Sequence, residues 1–147
     1  MPIVLDANVF LRALTELSDP THVWMQDAAR QLFLDAAAGT VELTTTDAVI
    51  AEVAFVLTAK THYRLDPRDA CERLLPLLQI GNVRFATKRQ TLRALDIWTE
   101  HPSIGFVDAL VAACAASPKN TLATFDRDYD RISALTSRHA WTGEGDN

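Results

Sequence analysis

Four carboxylates stand where an acid is out of character with its neighbours. Asp6 ends the β-branched run of "IVLDANVF", residues 3–10, with Asn8 two positions on. Glu52 is the only charged residue of "AVIAEVAFVLTA", residues 48–59, and its helical neighbours Ala48, Val49, Phe55 and Val56 are apolar. Asp108 is the only charged residue of "FVDALVAACAA", residues 106–116, and Asp126 follows the run "TLATF", residues 121–125. An oxygen-only set of this kind suits hard, octahedral Mg²⁺ or Mn²⁺, which take one or two carboxylates directly and keep several waters. A cation so held polarises a phosphoryl oxygen, lowers the pKa of a bound water and offsets charge on the leaving oxygen. Without a cation, clustered carboxylates repel one another. The chemistry implied is metal-assisted hydrolysis of a phosphodiester.

Each acid also has a structural reading. Asp and Asn are ordinary strand-ending and capping residues, and Asn8 is placed to accept from the free N–H groups of a helix starting at Val9. An unpaired buried carboxylate is costly, so Glu52 either reaches the rim or faces a compensating group such as a metal ion. Asp108 in a first helical turn gains about 0.3–1 kcal/mol from the macrodipole whatever else it does. What separates the readings is where the fold delivers the four side chains.

The elements that must position them alternate. A strand over about Ile3–Leu5 leads to a helix over about Val9–Leu14, and Ser18, Asp19 and Pro20 punctuate a turn. A long helix from about His22 to Ala38 ends at Gly39, and "VELTT", residues 41–45, reads as the second strand. Asp47 caps a helix running to about Tyr63, and Asp66-Pro67 begins another that Pro76 kinks or ends. "NVRFA", residues 82–86, alternates like a strand, and Thr87 with Gln90 has the spacing of a capping box. A helix over about Phe106–Ser117 precedes "TLATF" as the last strand, and the polar residues from about Thr142 are expected to fray. Strands alternating with helices predict an α/β fold, a central mainly parallel sheet flanked by helices on both faces in three layers. In such sheets ligands collect beyond the carboxyl ends of the strands, where Asp6 and Asp126 fall.

The chain of 147 residues, 48% hydrophobic and 22% charged, suits a single domain over residues 1–147 with a real core. There is no repeat, no low-complexity linker and no apolar run long enough for a bilayer, and the N-terminus lacks a signal peptide's basic region and cleavage site. The cytoplasm is the expected compartment, without membrane attachment. Cys71 and Cys114 have no CxxC or CxH spacing and read as buried free thiols. A net charge of −5 argues against a polyanionic partner until the four acids are assigned to a cation, which reverses the local sign. His22, His62, His101 and His139 are too scattered for a triad or a zinc site. Trp24 and Trp98 read as core or interface residues, and Arg12, one turn after Asn8, as a solvated arginine or a phosphate contact.

The ordered set "IVLDANVF", "TTDAVIAEV", "FVDALVAACA" and "LATFDRDYDRI" resembles the PIN-domain ribonucleases, in particular the VapC-type toxins of bacterial toxin–antitoxin pairs. The resemblance runs from Ile3 to about Ile132. It implies a PIN-like fold and a Mg²⁺-dependent endoribonuclease, with Mn²⁺ able to substitute, acting as the toxin of a type II pair. By the same resemblance Asp6, Glu52, Asp108 and Asp126 match the catalytic, metal-holding acids, Glu52 through water or directly. Asn8 matches the polar support of the first acid, Thr124 the hydroxyl before the last, and Asp128 an additional acid of the final motif. Ala7 stands where many members carry Thr, which removes a hydroxyl near the site and leaves the acids intact. The implied partners are an RNA substrate, a small antitoxin and a second copy of the chain in a homodimer.

Other classes fit less well. A haloacid-dehalogenase-like phosphatase would want Asp at position 8, a receiver domain would want a phosphoacceptor Asp at a middle strand end, and no glycine fingerprint follows the first strand. The remaining alternative is a non-catalytic PIN scaffold that binds RNA or protein.

Overall fold

β1 (Ile3–Val4) pairs in parallel with β2 (Leu43–Thr44), Ile3 opposite Leu43 and Val4 opposite Thr44. The computed structural model describes residues 1–16 and 19–135. The Leu5 N–H extends the ladder by donating to the Thr44 carbonyl at 2.8 Å, and Val83 joins on the far side of β2 through a parallel bridge to Leu43. The fold is therefore α/β with a parallel sheet and helix-rich, as expected. The predicted strand at residues 82–86 contracts to that single bridge. Residues 121–125, expected as the last strand, likewise keep only a single bridge residue, Ala123, and Phe125 is 89% exposed.

Six α-helices accompany the sheet among the described residues. α1 (Ala7–Leu14) starts two residues earlier than predicted, because Asp6, not Asn8, is its cap: the Asp6 backbone is extended and its Oδ1 accepts the Val9 N–H at 3.3 Å. α2 (Val23–Ala37) gives way to Gly39 at φ 82°, a left-handed position that glycine adopts without a Cβ penalty. α3 (Asp47–Thr58) is capped by Thr46, whose hydroxyl accepts from the Val49 N–H at 3.2 Å, so Asp47 lies inside the first turn rather than capping it. α3 also stops well short of Tyr63, its chain turning extended at Ala59. α4 (Pro67–Leu78) starts at Asp66-Pro67 as predicted and runs through Pro76, which removes one donor from the last turns without ending the helix. α5 (Lys88–Glu100) follows Thr87, which makes no side-chain cap bond, so the predicted capping box is absent. Its backbone there, at ψ 14°, is not the extended conformation that turns a cap hydroxyl toward the helix. α6 (Phe106–Ala115) carries Asp108 in its first turn. The predicted turn at Asp19-Pro20 is a short 3₁₀ segment, Pro20–His22, with Ser18 outside the described residues.

The core joins the sheet to the helices. Leu5, Phe10, Leu43, Ile50, Leu57, Leu74, Leu78, Val83 and Leu95 are buried within it. Phe10 packs on Phe33 with ring centroids 5.4 Å apart, and Trp98 meets the edge of Phe106 at 5.3 Å while its indole N–H donates to the Ile104 carbonyl at 2.9 Å. Trp98 is thus a core residue, whereas Trp24 is 65% exposed. α6 packs against α5, and Ala109, Ala112, Ala113 and Ala115 of α6 and Ala94 of α5 are all buried. α3 packs against both α1 and α6. Among the described residues no helix is long and apolar enough to cross a membrane. The tail from about Thr142 lies outside the described residues.

Candidate functional site

Asp6 is positioned by the sheet. The residue before it, Leu5, is held on both sides: its N–H donates to the Thr44 carbonyl at 2.8 Å, and its carbonyl accepts from the buried Thr45 hydroxyl at 3.1 Å. The chain leaves β1 with Asp6 exposed beyond its carboxyl end and capping α1. Asp6 and the exposed Asn8 line a groove of about 540 Å³ between α1 and α2, together with Arg12, Trp24, Met25 and Leu32.

Asp108 is the half-buried acid of the set. Gly105 precedes its helix without offering a side-chain cap. The carboxylate Oδ1 accepts the phenolic hydroxyl of Tyr129 at 3.2 Å, and Oδ2 lies over Gly105, 3.8 Å from where a Cβ would stand. Asp108 also closes one end of a cavity of about 430 Å³ lined by Phe55, Trp98, Ile104, Gly105 and Val107.

Asp126 caps the 3₁₀ turn Arg127–Arg131. Its own N–H donates to the Thr124 hydroxyl at 3.0 Å, and its Oδ1 accepts the Asp128 N–H at 2.8 Å. Thr124 therefore supports Asp126, while Asp128 stays exposed on the turn that Asp126 organises. Tyr129 is the next residue of that turn. Its hydroxyl is pushed up to about 12, first by burial, then by the charge of Asp108, the hydrogen bond to that carboxylate and the charge of Asp126. Asp108 and Asp126 thus act on one phenol, which ties them into a single neighbourhood.

Glu52 is exposed on α3, one turn beyond its start, on the side where Ala48 and Phe55 are also exposed. Of the two possibilities left by its apolar neighbours, it reaches the rim. Of those neighbours Ala48 and Phe55 are themselves exposed, Phe55 at 68%, and Val49 and Val56 are only half-buried, so Glu52 is not enclosed.

The family profile of the PIN domain matches residues 3–135. The chain belongs to the PIN domain family. No curated protein matches it. PIN domains are commonly nucleases and typically use divalent metals, which places this one among hydrolases at that level. The donor chemistry of this PIN domain fits such an ion: carboxylates, a threonine hydroxyl and an asparagine amide supply oxygen and no thiolate or imidazole. The geometry is looser than the donor set. Among the described residues no three Asp, Glu, His or Cys side chains stand together as an ion would require. Asp108 and Asp126 are brought together through Tyr129, whereas Asp6 and Glu52 stand on neighbouring elements.

Two residues of this PIN domain had no signal in the one-dimensional reading. Thr45 fixes the strand end from inside the core, and Tyr129 joins two acid-bearing segments. The only hint of the second was an aromatic hydroxyl three residues after Asp126 in the same motif.

Proposed function

We propose that this PIN domain is a metal-dependent endoribonuclease that hydrolyses RNA phosphodiester bonds, with Mg²⁺ as its cation and Mn²⁺ able to replace it. The observation that carries the reading is the neighbourhood of Asp108 and Asp126 around Tyr129, in a chain that retains an acid in each of its four motif segments. Asp6, Asp108 and Asp126 hold the cation, and Glu52 completes the set directly or through water. When bound, the cation supplies an activated water and charge compensation at the phosphate. Asn8 stands beside Asp6 and orients it, Thr124 fixes the backbone of Asp126, and Asp128 adds negative charge at the rim. Arg12, in the same groove as Asp6, is placed to take a phosphate of the substrate strand.

The biological role we infer is that of a toxin in a type II toxin–antitoxin pair, acting in the cytoplasm as a homodimer. A small antitoxin would lay a helix in the groove beside the exposed Trp24 and reach the acids with a basic side chain. The non-catalytic alternative is tested by the same assay as the enzyme. Total RNA incubated with the purified chain and Mg²⁺ should give discrete new ends that map to defined sites, and chelation should remove them. Intact RNA at every Mg²⁺ and Mn²⁺ concentration would leave a binding scaffold as the reading.

A further inference from the structure

We propose that Tyr129 is a positioning residue for the acid site, acting through Asp108. The inference rests on the nuclease reading above and extends it to a residue outside the four acids. Tyr129 and Asp108 are 21 residues apart in sequence, and their hydrogen bond joins the 3₁₀ turn that Asp126 caps to the first turn of α6. An ionised carboxylate only accepts, so the phenol is the donor. The bond occupies Oδ1 of Asp108 and leaves Oδ2, over Gly105, for a ligand. A carboxylate on a free χ2 torsion would sample both orientations, and donation from one side selects one of them. The Tyr129 ring is half-buried and packed against the core, so the hydroxyl is held by the fold rather than by the site. The same turn that Asp126 caps therefore holds one oxygen of Asp108.

Tyr129→Phe removes the hydroxyl and keeps the ring, and Tyr63→Phe is the matched control. Tyr63 accepts from the Thr15 hydroxyl at 3.4 Å and touches none of the acids. Melts of the apoproteins set the assay temperature below every transition. Mn²⁺ binding is read by calorimetry, and RNA cleavage is resolved into kcat and KM. Tyr129→Phe should bind Mn²⁺ about tenfold more weakly, the low end for loss of a residue that orients a metal ligand, and lose kcat by a similar factor with KM unchanged. Tyr63→Phe should match wild type in both. An unchanged Mn²⁺ affinity in Tyr129→Phe, with or without a lower melting temperature, would reduce the hydroxyl to a packing or stability role and overturn the proposal alone. Wild type that neither binds Mn²⁺ nor cuts RNA would overturn the site reading and the proposal with it.

Discussion

The Asp6 carboxylate accepts the Val9 N–H at 3.3 Å, so the acid proposed to hold a metal also caps the helix that leaves the first strand. One oxygen serves the helix, and the other is free to serve a ligand.

That division separates folding from chemistry in two substitutions. Asn is as good a cap as Asp, so Asp6→Asn should keep the wild-type melting temperature, while Asp6→Ala should cost ~1 kcal/mol of stability. Both should lose at least about a hundredfold in RNA cleavage, a few kcal/mol of transition-state stabilisation, at matched folded concentration. Asn8→Ala should lose less, because it disturbs orientation only. Near-wild-type turnover by Asp6→Asn would return Asp6 to capping alone.

Glu52 is exposed, so replacing it relieves no burial. Glu52→Gln should leave the stability of the metal-free protein within about 0.5 kcal/mol of wild type while cutting activity severely. Urea denaturation alongside the cleavage assay checks both. A large loss of stability would make Glu52 a structural residue.

Metal should bind the native state and not the unfolded chain. Mg²⁺ or Mn²⁺ at a hundred times its dissociation constant should add about 2.7 kcal/mol of stability, seen as a rise in melting temperature that EDTA reverses. Cleavage undiminished in excess chelator would rule out the mechanism.

The two thiols should react unequally. Burial raises the pKa of Cys71, a Thr99 hydrogen bond opposes that shift and the charge of Asp96 adds to it, while Cys114, expected to be buried, is exposed. A raised pKa means that the native state favours the neutral thiol. Its contribution to stability is complete below the unfolded thiol's pKa and fades as pH rises through the folded value. Ellman's reagent at neutral pH should modify Cys114 in the native protein and reach Cys71 only on unfolding. Rapid modification of both without denaturant would contradict the burial of Cys71.

The partners are read out by mass. Light scattering at micromolar concentration should give twice the chain mass, and a small protein encoded beside this one should shift that mass and suppress cleavage. Trp24→Ala should weaken the complex with that small protein and leave cleavage by the free chain unchanged. A monomer would remove the dimer, and a neighbour without effect would remove the antitoxin.

What the one-dimensional pattern made legible was local. Asp66-Pro67 announces α4 because a cap and a fixed φ act within a single turn. The alternating strands and helices announce the α/β class for the same reason. Thr87 and Gln90 carry a capping pattern, but the backbone at Thr87 is not extended, and sequence spacing does not record ψ. Residues 121–125 read as a strand, yet a strand exists by pairing with a distant neighbour, and among these residues the pairing is reduced to a single bridge at Ala123. Two of the apolar neighbours of Glu52, Ala48 and Phe55, are themselves exposed, so composition around it overstated its burial. The acids were visible as chemically misplaced residues, whereas the Tyr129 bond to Asp108 was not, because nothing along the chain links two residues that only folding brings together.

The alanine seat between α5 and α6 sets how this site can change over generations. Ala94, Ala109, Ala112 and Ala113 are buried and have no side-chain torsion to adjust, so none of them can absorb a change by choosing another rotamer. A larger residue at Ala94, Ala109 or Ala112 overpacks the core and shifts the backbone around it, the helix that carries Asp108 included. Drift there is confined to residues of alanine's size or smaller. The site is therefore insulated from gradual retuning through its own foundation, and inherited variation in activity should collect in the grooves and on the 3₁₀ turn instead.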